Sequence, residues 1–193
     1  MNLGENIHNA FEIVNKTHEN VEKLIEFCRV MASEKKEFDL MSPKFLRYKS
    51  DSDYWGWNIR RMFLLFQDTQ DELLENGWRD GPIYVLEILL YDPDGYYETN
   101  EPRVEMAKFE YEDIKHFSPG VSAASYYYFA DPLYDVDYEE IEDEILVAEM
   151  PEEMTQKYWG VKRVVCKVSL LVDIDYENAY DVIFGTFKTL KDK

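Results

Sequence analysis

Residues 83–91 read IYVLEILLY. β-Branched, aromatic and leucine side chains fill both alternating sets, so a strand here buries both faces. Such a strand lies inside a sheet, not at its rim. Asp92-Pro93-Asp94-Gly95 follows as a turn signal. Val104–Tyr111 alternates well enough to be the next strand, and Ser118-Pro119-Gly120 turns the chain again. Val161–Val172 is the second strong strand, with Val164, Cys166, Val168, Leu170 and Val172 on one face.

Helices flank these strands in sequence. Leu3, Ile7, Ala10, Val14, Thr17, Val21, Leu24, Cys28 and Met31 recur at alternating spacings of four and three, one face of a helix running through Ser33. At 1.5 Å per residue that helix is roughly 45 Å long. The spacing is heptad-like, but Phe11, Ile13, Ile25 and Phe27 flank the seam where a two-stranded coil in water wants charges. Packing against a sheet or several helices therefore explains the wide stripe better than a helix-mediated dimer. Glu177–Leu190 closes the chain as an amphipathic helix, with Ala179, Ile183, Phe187 and Leu190 inward and Asp175 as N-cap.

Between these elements the pattern is weaker. Phe45–Lys49 reads as a strand, Trp55–Phe66 as a strand or a helix, and Asp68–Asn76 as a short helix closed by Gly77. Residues 121–156 combine loop with a possible helix over Tyr138–Val147. No linker or repeat divides the chain. The expected fold is a single α+β domain over residues 1–193: a long first helix and a terminal helix on a mostly antiparallel sheet of about four to six strands.

Composition sets the class. A hydrophobic content of 46% is too high for a disordered chain, despite a net charge of −19. That charge is localised: residues 62–156 hold 25 acids and 4 bases, a net −21, and the remainder is close to neutral. Such a surface opposes binding to nucleic acid or anionic lipid, where affinity comes from Lys and Arg neutralising phosphate. Cys28 and Cys166 sit in apolar runs and read as buried thiols. With no basic and apolar leader at the N-terminus, the expected compartment is the reducing cytoplasm.

Motifs for chemistry are scarce. There is no nucleophile elbow, zinc spacing or phosphate-cradling glycine loop. Asp92, Asp94, Gly95 and Glu101 match part of a calcium loop, but Leu90 at its first position cannot ligate. Asp173 and Asp175 fall at a predicted strand end on one side. With a further carboxylate such as Glu87 they suggest a Mg²⁺- or Mn²⁺-dependent hydrolase or nuclease. A helix cap and a solvated turn residue is the plainer account, so no catalytic residue, metal site or cofactor is assigned. Lys35, Lys36, Lys44, Arg47, Lys49, Arg60 and Arg61 lie near Tyr48, Tyr54, Trp55 and Trp57, a composition that can bind single strands. The segment's net +3 is small beside −21.

The main candidate site is acidic. No Lys or Arg occurs from residue 116 to residue 156, and eleven carboxylates do, with tyrosines among them. Tyr134, Asp135, Asp137, Tyr138, Glu139, Glu140, Glu142, Asp143 and Glu144 are the expected contact residues for a basic partner protein. Carboxylates on a rigid face imitate a phosphate backbone, and tyrosines add apolar area at low entropic cost. The partner is accordingly expected among nucleic-acid-handling proteins. The protein itself is expected as a monomer or as a homodimer through the first helix, an oligomeric structural role being the third alternative.

Overall fold

A computed structural model describes residues 2–92, 95, 100–117 and 122–193. The expected turn at Ser118–Gly120, and parts of the turn at Asp92–Gly95 and of the calcium-loop match, lie outside those residues. The chain forms two compact units, residues 1–36 and 37–193.

The first unit is one helix, α1, Leu3–Lys35. Its start is fixed by Asn2, whose side chain accepts the Gly4 N–H at 3.1 Å. It ends where Lys36 turns left-handed at φ 53° and returns its N–H to Ala32. Ion pairs Glu12–Lys16 and Glu19–Lys23 support its solvated face, each by a few tenths of a kcal/mol. Val21, Ile25, Cys28 and Ala32 are buried, whereas Leu3, Ile7, Phe11 and Ile13 are exposed.

The second unit is built on a seven-stranded sheet. Its strands are β1 (Phe38–Leu40), β2 (Arg61–Asp68), β3 (Ile83–Leu89), β4 (Arg103–Tyr111), β5 (Glu139–Glu142), β6 (Ile145–Glu149) and β7 (Val161–Leu170). The order across the sheet is β1-β2-β3-β4-β7-β6-β5, and every pairing is antiparallel. Seven exceeds the expected four to six because β1 and β5 are only three and four residues long, too short to show a period. β3 is buried at all seven positions, as its two-sided apolar run requires.

Register sorts the side chains onto two faces. On one, Phe63, Leu65, Val85, Ala107, Phe109, Val164 and Cys166 pack under Phe117, Phe129, Leu133, Met154 and Tyr158. The covering residues come from the 114–134 segment, including helix α2 (Tyr127–Tyr134), and from helix α3 (Glu152–Lys157) with its C-cap. On the other face Phe38, Phe66 and Tyr84 meet Phe187 of the terminal helix at ring separations of 5.4–5.6 Å. That helix spans residues 179–191, with a π-helical stretch at Asp181–Gly185 leading into α4 (Thr186–Lys191). Ala179, Ile183, Phe187 and Leu190 are buried as expected. Among the described residues no helix is long and apolar enough to cross a membrane.

Four local expectations are corrected. Phe45–Lys49 is no strand and contributes one bridge, Leu46 to Phe63. Trp55–Phe66 divides into a 3₁₀ turn at Tyr54–Gly56 and the start of β2. Asp68–Asn76 is not helical: Gln67 accepts the Arg79 N–H at 2.7 Å and donates to the Arg79 and Gly81 carbonyls. Arg79 in turn donates to the carbonyls of Thr69 and Asp71. The Thr69 and Asp71 carbonyls are ones that a helix would have used internally. Tyr138–Val147 is a β-hairpin, not a helix.

Candidate functional site: the acidic edge hairpin

The acidic stretch supplies the outermost strand of the sheet. Among the described residues β5 pairs only with β6, through Glu139 to Val147, Glu140 to Leu146 and Glu142 to Ile145, with a register shift at Ile141. All four β5 residues are exposed, and so are Asp135, Asp137, Asp143 and Glu144. The turn between the strands holds both Asp143 (φ 49°) and Glu144 (φ 63°) in the left-handed region. This mirror-image turn follows the twist of the hairpin, although glycine and asparagine fit it with less strain.

Folding brings cations that sequence distance hid. Lys167 of β7 donates to the Asp143 carbonyl at 2.8 Å and lies 3.7 Å from the Glu144 carboxylate. Lys193 pairs with Glu142. Among the described residues, Asp135, Asp137, Glu139 and Glu140 have no ion pair. The surface thus keeps a negative excess, centred on the start of β5.

The two tyrosines of the predicted site go elsewhere. Tyr134 is half-buried, and its hydroxyl donates to Glu87 on β3. The Arg61 guanidinium lies 4.0 Å over the Tyr134 ring, and its Nε donates to the other Glu87 oxygen at 2.7 Å. Glu87 is fully buried and opposes Glu105 in register. Burial opposes the Arg61 charge, but Glu87 and Tyr134 outweigh it and hold the guanidinium above its already high range. Tyr138 is half-buried beside Cys166, whose thiol is pushed well above its ordinary range by burial and by the Glu105 carboxylate. Sequence reasoning missed this network; Glu87 inside an otherwise apolar strand was the available signal. Tyr134 is therefore tied to β2 and β3 and Tyr138 to β7, and the exposed members of the expected set are the carboxylates.

Asp173 and Asp175 are separated from any such cluster. β7 ends at Leu170, and Asp173 belongs to a 3₁₀ turn, so no shared strand face is built. The Asp175 carboxylate accepts from the N–H groups of Glu177 and Asn178 at 2.8 and 3.1 Å, and Asn178 donates to the Asp173 carbonyl. Both residues shape the entry to the last helix. Glu87 faces Glu105, which faces Val168, so Asp173 lies five residues farther along β7's course. Among the described residues no three His, Cys, Asp or Glu are grouped to hold a metal ion.

Of the basic segment, Tyr48, Trp55, Arg60 and Arg61 are gathered with Tyr126 around one cleft. Comparison of the chain with protein-family models, curated proteins and solved structures returns no match.

Proposed function

We propose that this chain is an acidic protein-binding module of the inhibitor type, whose edge hairpin engages a basic surface on a partner protein. The observation that carries the reading is the open edge of β5: four exposed residues, three of them glutamates, at the end of a rigid sheet. An open edge offers main-chain groups for pairing, and its side chains choose the partner. Here they favour a strand or loop rich in Lys and Arg. A nucleic-acid-handling protein presents such a surface, with the carboxylates standing for phosphates. Electrostatic complementarity of this kind accelerates encounter and rejects acidic competitors.

Capture from a host lysate at graded salt tests the proposal. The expected result is retention of a basic protein that weakens steeply as salt rises. Replacing Glu139, Glu140, Glu142 and Glu144 by Lys abolishes capture while the melting temperature stays within a few degrees, because exposed ion pairs contribute little. Retention by the reversed variant, or no basic partner at low salt, overturns it.

A second reading, self-association through α1, is favoured by the exposure of Leu3 (73%), Ile7 (51%), Phe11 (67%) and Ile13 (66%) on one half of the helix. Apolar patches of this kind mark interaction surfaces. Sedimentation at micromolar concentration decides it: a dimer that Ile7→Lys with Phe11→Lys dissociates supports it, and a monomer removes it.

A further inference from the structure

Cation and aromatic side chains that the acidic hairpin does not use converge at the start of β2. A cleft of about 330 Å³ is lined by Tyr48, Asp53, Trp55, Arg60, Arg61 and Tyr126, with Asn58 and Ile59 completing it. The volume lies at the lower end of the range for small-molecule sites. Tyr48 and Tyr126 meet edge to face at 5.8 Å, and Trp55 packs on Tyr54 at 4.6 Å. Asp53 fixes this wall: it accepts from the Tyr48 hydroxyl at 2.6 Å and caps the 3₁₀ turn through the Gly56 N–H at 3.2 Å.

The two arginines are held in different ways. The Arg60 guanidinium sits 4.8 Å over the Trp55 ring. Arg61 is clamped by Glu87 at its Nε and by Tyr134 on its face, while its Nη2 is buried with no acceptor in the protein. Arg61 nonetheless keeps 14% of its side chain accessible and lines the cleft. Guanidinium groups recognise phosphate by this fork geometry, and rings stack on planar heterocycles.

We propose that this cleft binds a small phosphorylated ligand carrying a planar ring, of mononucleotide size. The phosphate meets Arg60 and Arg61, and the ring meets Trp55, Tyr48 or Tyr126. A polymer is disfavoured, because strands leaving the cleft meet a chain whose residues 62–156 carry a net −21. Asp53 on the rim and Glu87 behind Arg61 oppose the anion, so the affinity is modest.

Isothermal titration with 5′-AMP, 5′-GMP, 5′-CMP and 5′-UMP, alongside adenosine, inorganic phosphate and an oligothymidylate, tests the site. Saturable binding of at least one mononucleotide with Kd below about 1 mM is expected. Adenosine and phosphate alone bind at least about tenfold more weakly. Arg60→Gln and Trp55→Leu each weaken binding at least about tenfold, with circular dichroism showing that both variants remain folded. Arg61 is left intact because its loss disturbs the buried Glu87. No saturable mononucleotide binding overturns the proposal, as does binding undiminished by Arg60→Gln. Tighter, steeply salt-dependent binding of the oligothymidylate overturns it in favour of a single-strand site.

Discussion

Replacing Arg61 by Met removes the cation that neutralises a desolvated carboxylate. Glu87 has no exposure, and its two oxygens are served by Arg61 Nε at 2.7 Å and by the Tyr134 hydroxyl. Its register neighbour is Glu105, only 3% exposed, so without Arg61 the carboxylate faces a second acid. Breaking a buried pair from one side typically costs about 3–5 kcal/mol. Arg61 itself keeps 14% of its side chain accessible, which places the expected loss near the bottom of that range, about 3 kcal/mol. Met retains most of the apolar stem, so the loss reports charge and hydrogen bonding more than volume. Tyr134→Phe removes one hydroxyl–carboxylate bond and costs about 2 kcal/mol. The double variant Arg61→Met with Glu87→Met removes both charges and returns to within about 1 kcal/mol of the parent. Equilibrium urea unfolding reads all four proteins; at a slope near 2 kcal/mol per M, Arg61→Met lowers the midpoint by about 1.5 M. A loss under about 1 kcal/mol for the single variant refutes the view that Arg61 sustains a buried charge. So does a double variant no more stable than the worse single.

Phe187 has no exposure and touches Phe38, Phe66, Tyr84 and Phe184, so Phe187→Ala should cost about 3–5 kcal/mol, seen as a lower unfolding midpoint. Glu144 sits at φ 63°, so Glu144→Gly should stabilise the hairpin by about 1 kcal/mol in the same assay. Burial alone raises the Glu110 carboxyl, but Lys108 at 2.9 Å and Arg163 at 3.4 Å more than reverse it, and its pKa falls below the ordinary value. A lowered folded pKa contributes stability above the unfolded pKa that is lost as pH falls through the folded one. Glu110→Gln should therefore be less stable than the parent at pH 7, with the gap closing toward pH 3; a gap independent of pH contradicts the assignment.

The legible parts of this chain are those whose own residues decide them. β3 announces itself by apolar content, β4 and β7 by alternation, and the terminal helix by Ala179, Ile183, Phe187 and Leu190 at helical spacing. Asp175 holds the turn that enters the terminal helix, because such a bond needs only the next few residues. The misread parts are decided by distant partners. Asp68–Asn76 has helix-forming residues, yet Arg79 holds the Thr69 and Asp71 carbonyls, and backbone bonds from Leu74 to Trp78 and from Asp80 to Glu72 close the segment as a loop. Tyr138–Val147 combines glutamates with Ile141 and Ile145 at a spacing of four, which suits a helix face as well as a hairpin. Pairing of Ile145–Glu149 with β7 settles it, and no local pattern encodes that pairing. At the site, the run of acids was readable, but not which way its tyrosines turn. Tyr134 points inward because Glu87 and Arg61, 47 and 73 residues away, need it.

The identity of the residues on β5 also bears on what occupies its open edge. Charged side chains on an edge strand are a general defence against aggregation. β5 carries three glutamates in four residues, and the turn adds Asp143 and Glu144. A second copy pairing edge to edge would set glutamates against glutamates, each opposed like-charge pair destabilising by roughly 0.2–1 kcal/mol. Self-pairing is thus opposed by several like charges, and under the proposed function the same charges would attract a basic strand. The two roles separate on partial neutralisation. Glu139→Gln with Glu140→Gln leaves Glu142, Asp143 and Glu144 to guard the edge, so the variant stays monomeric through β5 if the charges serve defence. If they serve docking, the same variant, lacking two carboxylates that have no ion pair of their own, loses most of its affinity for the captured partner and most of the salt dependence of that affinity. Unchanged capture would assign the acidic edge to solubility alone.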